Sequence, residues 1–295
     1  MTIHSKLASP RATKAVLERW GLATKKSLGQ HFLIADNIVG KIMTLADLQQ
    51  DDYVVEVGPG IGTLTVALLP RVAGVIAIEK DASLLPALLG NVTEDVDTFK
   101  LIHGDALDVD REQIAATSQS MCMGMPNKLV ANLPYAVAAT IVLEYFKQMS
   151  SLQSATVMVQ AEVAARMSAA PGTKSYGAYT VKLQLLAQPS GSFSVSPANF
   201  MPPPRVESTV IRLDRKEQLP PELLEVTFEI AQAAFFQRRK NIRNSLLAYF
   251  STSEIGSDVI DEVLSIADIP AQIRGETLSI AEFIALARIW MDVTR

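Results

Sequence analysis

A chain of 295 residues, 48% hydrophobic and 20% charged, is long enough for a full core and for two domains, and its composition excludes the disordered, fibrous and membrane-spanning classes. One cysteine, Cys122, excludes a disulfide framework and a cysteine-built metal cluster, and His4, His31 and His103 lack ligand spacing, so no metal site is expected. The net charge of −4 speaks against a polyanion partner, but it is unevenly spread: residues 1–30 hold six basic groups and one acid, and residues 237–243 (QRRKNIR) hold four basic groups and none.

In chain order, residues 12–22 read as a short helix ending near Gly21. The start is rich in Lys and Arg but lacks the apolar run of a secretory signal, so a cytoplasmic location is expected. A basic loop follows, and then an amphipathic helix with Ile34, Ile38, Ile42 and Leu45 at helical spacing and Asp36 as its N-cap. The stretch Tyr53 to Thr65, YVVEVGPGIGTLT, runs from a β-branched strand through a glycine turn into a helix that stops at Pro70. Gly74 to Ile78 is a second strand closed by Glu79, then a helix spans 81–89, and Phe99 to His103 is a third strand ending in Gly104-Asp105-Ala106. Residues 115–127 read as a loop. A fourth strand, 128–131, runs into Asn132-Leu133-Pro134-Tyr135 and an apolar helix through Phe146. A strand at 155–160 and a helix at 162–168 come next. Strands six and seven are placed at Val181 to Leu186 and Ser208 to Leu213, with the stiff segment NFMPPPRVES between them. Beyond Leu219-Pro220-Pro221 strand patterns vanish. Helices are expected over 222–250, 257–266 and 279–293, the last opening on the capping box Ser279 to Glu282. This order predicts a mostly parallel, seven-stranded α/β domain over residues 1–218, with 1–24 as a basic extension. A small all-α domain occupies 219–295.

The glycine turn alone is a weak signal, because Thr63 stands where a dinucleotide fingerprint needs a small residue. Glu79, 21 residues after Gly58, can accept both hydroxyls of a ribose, and Asp105 can accept from an adenine amine. A nucleotide cofactor is expected, with hydride carrier and methyl donor both open at this point. Asn132-Leu133-Pro134-Tyr135 favours methyl transfer to an exocyclic amine. The Asn132 side-chain oxygen and the Leu133 carbonyl can accept the two N–H bonds, Pro134 aims that carbonyl, and Tyr135 offers a face for an extruded base.

The chain resembles the ribosomal-RNA adenine dimethyltransferase family, specifically its small-subunit members. The resemblance rests on KKSLGQHFL, VEVGPGIGTLT, AIEKD, HGDAL, VANLPYAVA, NFMPPPRVES and FFQRRKNIRNSL. It implies a Rossmann-like class I methyltransferase domain that binds S-adenosyl-L-methionine, followed by a helical domain that binds RNA or the ribosome. Gln30, His31 and Leu33 would line the cofactor site, Gly58 and Gly60 would face its amino-acid end, Glu79 its ribose, and Asp105 with Ala106 its adenine. Asn132 would touch both cofactor and target, and Tyr135 and Phe200 would sandwich the flipped base. His31 stands where many members have Asn. The implied reaction is N6,N6-dimethylation of two adjacent adenosines in a hairpin loop near the 3′ end of 16S rRNA, within the 30S subunit or its precursor. Lys25, Lys26, Arg205, Arg238, Arg239, Lys240 and Arg243 are the candidate RNA contacts, with Arg239 and Arg243 on one helix face. A monomer is expected. The alternatives are a large-subunit resistance methyltransferase and a non-catalytic assembly factor; a nicotinamide dehydrogenase fails on Thr63.

Overall fold

A computed structural model of the chain describes residues 3–23, 30–92, 97–120, 124–252 and 255–294. The chain divides into two compact units, Met1–Ala164 with Pro189–Arg215, and Ala165–Gln188 with Lys216–Arg295.

The first unit begins with α1 (Pro10–Arg19), capped by the Ser9 side chain on the Ala12 N–H, with Pro10 opening the helix. A two-residue strand β1 (Phe32–Leu33) leads to α2 (Asp36–Ala46). Asp36 is not the N-cap. It is the first helical residue, and its carboxylate accepts from the His4 and Ser5 N–H groups, which fastens residues 4 and 5 to the start of α2. Then come β2 (Tyr53–Val57), α3 (Thr65–Leu68), β3 (Gly74–Glu79), α4 (Leu85–Asn91) and β4 (Phe99–His103). Part of the expected loop at 115–127 is helical, as α5 (Arg111–Gln119), because Asp110 caps it at the Gln113 N–H. The run continues with β5 (Lys128–Asn132), α6 (Ala138–Gln148), β6 (Ser154–Gln160) and α7 (Ala161–Met167).

The expected strand at Val181 to Leu186 is instead α8 (Ala178–Leu186), and the chain then forms β7 (Ala187–Val195), a strand not expected from AQPSGSFSV. The short β8 (Phe200–Met201) pairs antiparallel with β1, and β9 (Ser208–Arg215) completes the strands. The large sheet has seven strands in the order β4-β3-β2-β5-β6-β9-β7. Neighbours from β4 to β6 are parallel, and β9 runs antiparallel to β6. The strand order reverses on either side of β2, so the crevice of an open α/β sheet lies between β2 and β5. Val54 and Val75 of the central strands are fully buried against Ile42 and Met43 of α2 and Leu68 of α3. Each such aliphatic side chain stabilises the fold by about 1.5–3 kcal/mol.

The second unit contains α8, α9 (Pro221–Ala234), α10 (Ile242–Tyr249), α11 (Ser257–Ile266) and α12 (Ile280–Val293). The sequence places its start at residue 219; the compact unit starts at 216 and also takes in 165–188. The added segment is held by the Tyr176 hydroxyl on the Leu278 carbonyl (2.8 Å) and by Lys182 on Gln232 (2.9 Å). The single helix expected over 222–250 is broken, because α9 ends at Ala234 and Asn241 starts α10 by accepting the Asn244 N–H.

The α12 capping box forms as the sequence predicts: Ser279 N–H donates to Glu282 (2.7 Å) and the Ser279 hydroxyl accepts from the Glu282 N–H (3.3 Å). The Ser279 hydroxyl and N–H hold the Glu282 carboxyl below its ordinary value of 4.5. Ser279→Ala should therefore lower stability by about 1 kcal/mol in urea titrations at pH 7. A depressed carboxyl stabilises the fold above its unfolded pKa and loses that contribution as pH falls through its folded value. The deficit should thus shrink in acid, and a deficit independent of pH would contradict the box.

Candidate active site

The cleft at the carboxyl ends of β2 to β5 has a volume of about 540 Å³ and is lined within the first unit. Backbone conformation builds its floor. Gly58 and Gly60 sit at φ +68° and +62°, in the left-handed region that an L side chain rarely adopts. A Cβ on Gly60 would also stand 3.2 Å from the Phe32 ring. The Gly60 N–H then donates to Glu79 Oε2 (3.1 Å), while Asp81 N–H donates to Oε1 (2.8 Å). The acid at the end of β3 thereby pins the glycine turn after β2. Burial raises the Glu79 pKa, and the Asp81 and Gly60 N–H groups oppose that rise.

At the end of β4, Asp105 receives Lys80 Nζ at 2.6 Å and the Leu107 N–H at 3.1 Å, which hold its pKa below the ordinary value. Ala106, beside it, is buried and lines the cleft. Gln30 donates to Asp81 Oδ2 (2.7 Å), and Leu33 closes the wall. Asn132 ends β5. Its amide nitrogen donates to the His31 carbonyl (3.1 Å), so the amide is oriented with its oxygen as the remaining acceptor. The Leu133 N–H is held by the Met158 carbonyl (3.1 Å). Pro134 packs against Gly58, 3.6 Å from where a Cβ would be.

Two aromatic expectations are redistributed. Phe200 is 2% exposed and belongs to the core with Leu33 and Ile38; it does not line the cleft. The β1–β8 ladder pairs Phe200 with Leu33, and while Leu33 still borders the cleft, Phe200 is packed into the core. The ring stacked on Tyr135 is that of His31, with centroids 5.8 Å apart and planes at 24°. The Pro202 carbonyl can only accept, so His31 Nδ1, 2.7 Å away, carries the proton. The Tyr135 hydroxyl meets Ser208 Oγ at 2.6 Å, fixing the tyrosine from below.

Glu56 was not singled out from the sequence. It lies on β2 among apolar neighbours, reaches the cleft, and accepts from the Thr65 hydroxyl (2.7 Å). Burial, opposed by Thr65 and reinforced by the charge of Glu79, pushes its pKa up to about 8. An acid interrupting a buried strand immediately before a glycine turn was the available signal. Among the described residues no group of three or more His, Cys, Asp or Glu could hold a metal ion.

The basic candidates behave unequally. Lys25 and Lys26 lie outside the described residues. Arg205 is exposed in the first unit. In the second, Arg238 is tied to Glu276 (3.2 Å) and the Lys174 carbonyl (2.5 Å), and Arg243 forms a two-pronged pair with Asp261 (2.5 and 2.7 Å). Arg239 and Lys240 are exposed in the turn between α9 and α10. Arg239 and Arg243 therefore do not share a helix face, since only Arg243 is helical.

A model of the family described as ribosomal RNA adenine dimethylase matches residues 21–286. The chain belongs to that family. Two curated relatives, each called ribosomal RNA small subunit methyltransferase A, support this. The protein from Pelotomaculum thermopropionicum is 41% identical, with 97% of this chain and 98% of the relative covered. That from Geobacillus thermodenitrificans is 38% identical, with 99% and 100% covered. Among solved structures, a dimethyladenosine transferase from Plasmodium falciparum superposes with a TM-score of 0.76 at 22% identity, covering 90% of this chain and 98% of that one. The 23S rRNA methyltransferase ErmE gives 0.64 at 22%, covering 88% and 99%. These two likenesses establish the class I methyltransferase fold. The chain is therefore an S-adenosylmethionine-dependent ribosomal-RNA adenine methyltransferase, and the cleft is its candidate active site.

Glu56 supplies a test of the site's electrostatics. An acid whose folded pKa is raised binds its proton in the native state while the unfolded chain has released it, so its contribution is present below 4.5 and lost as pH rises to about 8. Glu56→Gln should flatten the fall in unfolding free energy between pH 5 and pH 8. An unaltered slope would mean that Glu56 is ionised in the folded protein.

Proposed function

We propose that the chain transfers methyl groups from S-adenosyl-L-methionine to N6 of two adjacent adenosines in the hairpin loop near the 3′ end of 16S rRNA. Its substrate is the 30S subunit or a late precursor. It acts as a monomer in the cytoplasm. The observation that carries the reading is the convergence of the glycine turn, Glu79, Asp105 and Asn132-Leu133-Pro134-Tyr135 on one cleft, in a chain 41% identical to a small-subunit methyltransferase. Among the described residues no helix is long and apolar enough to cross a membrane.

The cleft fits the cofactor by its donor set. Gly58 and Gly60 leave room for an amino-acid group, the Glu79 carboxylate accepts from ribose hydroxyls, and Asp105, with Ala106 beside it, accepts from the adenine amine. Gln30, His31 and Leu33 form the opposite wall. When bound, S-adenosylmethionine supplies an electrophilic methyl on a sulfonium. The residues of the chain then do the positioning. Asn132 Oδ1 and the Leu133 carbonyl accept the N–H bonds of the target amine, which favours a tetrahedral nitrogen with its lone pair free to react. For the second transfer a single N–H remains, so one acceptor suffices. Tyr135, anchored by Ser208 and flanked by the His31 ring, supports the base. In this reading Arg205, Arg239 and Lys240 meet RNA phosphates directly. Lys25 and Lys26, outside the described residues, are further RNA contacts in this reading. Arg238 and Arg243 contribute where phosphate replaces their carboxylate partners.

Asn132→Ala should lower methyl transfer to small subunits by roughly 10²-fold or more while leaving particle binding intact. Normal turnover in that variant would remove Asn132 from the mechanism. Labelled methyl transfer to small and large subunits from cells lacking the enzyme decides the substrate: label mapped to the two small-subunit adenosines is expected, and label in the large subunit would reassign the chain to the resistance-type reaction. Arg239→Ala with Lys240→Ala should reduce the slope of log affinity against log salt by about 1–2. An unchanged slope would move the RNA surface elsewhere.

A further inference from the structure

Phe235 and Phe236 are adjacent, and the structure gives them opposite fates. Phe235 turns inward, edge-on to Tyr176 and stacked at 6.2 Å on Phe283. Phe236 turns outward and is 55% exposed. Isolated exposed apolar residues are ordinary on protein surfaces. Phe236 differs in two respects, both internal to the second unit.

The ring is braced. Its neighbour Tyr249 meets it edge-on at 5.5 Å, Tyr249 meets Phe250 at 4.9 Å, and Phe250 stacks on the buried Trp290 at 4.7 Å. The exposed ring is thus the outer end of an aromatic series rooted in the helical core. The Gln237 N–H, bonded to Ser245 Oγ at 3.0 Å, holds the turn that follows. The ring is also set beside cations. Arg239 and Lys240 follow it in the same exposed turn. A fixed ring face next to exposed positive charge is the combination that takes an unpaired nucleotide, the ring stacking the base and the cations meeting its phosphates.

We propose that Phe236 is a stacking platform for an unpaired base of the ribosomal RNA substrate, with Arg239 and Lys240 engaging the flanking phosphates. This rests on the reading of the particle as substrate and adds to it a docking contact outside the methyl-transfer cleft. The ring binds by its π-face, so it selects for an unstacked base and is indifferent to which base it is.

The test measures binding of undermethylated small subunits, with crosslinking from p-azidophenylalanine placed at position 236. Phe236→Ala and Phe236→Leu should each weaken binding about tenfold, and Phe236→Tyr should restore it. Far-ultraviolet circular dichroism and the urea midpoint of each variant report that the helical unit carrying position 236 is folded. Crosslinks should fall on rRNA. If Phe236→Leu binds as tightly as the parent, the contact is merely apolar and the stacking role is wrong. If the crosslinks fall on a ribosomal protein, the partner is wrong. If Arg239→Ala with Lys240→Ala weakens binding while Phe236→Ala does not, the RNA surface stands and the platform falls. If the parent protein binds no small subunits, the substrate reading fails, and the platform with it.

Discussion

Parallel pairing of β2 with both β3 and β5 is the constraint from which the site follows. Parallel strands end on one edge, and at the point where the strand order reverses no crossover covers that edge. The residues just past each strand end are thereby forced together: Gly58 after β2, Glu79 at the end of β3, Asp105 after β4 and Asn132 at the end of β5. None of these is near another in sequence. The hydrogen bonds between them are consequences of this placement. The Gly58 N–H reaches the Ile78 carbonyl at 2.9 Å, and the Gly104 N–H reaches the Glu79 carbonyl at 3.0 Å. Each turn is thus tied back to the neighbouring strand.

The same crowding puts Glu56 and Glu79 within electrostatic reach of each other. Burial disfavours the charge of both, but their partners differ. Glu79 accepts backbone N–H groups on both oxygens, which compensate an anion, whereas the partner found for Glu56 is a single hydroxyl. Two carboxyls on adjacent strands therefore take different protonation tendencies, and the better-compensated one is the acid proposed to accept from the ribose. Lys80 makes the complementary adjustment at Asp105, keeping a second acceptor ionised.

Most of this was legible because the informative residues are short-range. A strand, a glycine turn and an acid at the next strand's end can be read without knowing tertiary contacts. The failures are tertiary. Val181-Lys-Leu-Gln-Leu alternates as a strand would, yet folds as α8, because its polar positions are covered: Gln184 donates to the Met167 and Ala169 carbonyls, and Lys182 lies over the Phe228 ring. Conversely β7 carries Pro189 and Gly191 and looks like a loop, but it is an edge strand, where a missing N–H is tolerated. Phe200 was misplaced because nothing in its own neighbourhood reveals a two-residue ladder with β1, more than 160 positions earlier. The break between α9 and α10 has no Pro or Gly to announce it, and Asn241 as a cap was the one local clue.

The handling of charge in the second unit follows from the chain's acidic balance. A protein of net charge −4 is repelled by RNA at long range, so attraction has to be local. Pairing Arg238 with Glu276 and Arg243 with Asp261 fixes two guanidinium groups, at the cost of charge available to a phosphate. Exposed pairs of this kind contribute little stability, and a phosphate offers Arg243 the same two-pronged geometry as the Asp261 carboxylate, and Arg238 an acceptor in place of Glu276. On the proposed reading of this face as an RNA contact, the acids are stand-ins that keep the cations oriented in the free protein and are exchanged for phosphate. A surface built this way binds weakly to polyanions in general and gains most where a geometric feature, such as an exposed ring, adds what charge alone does not supply.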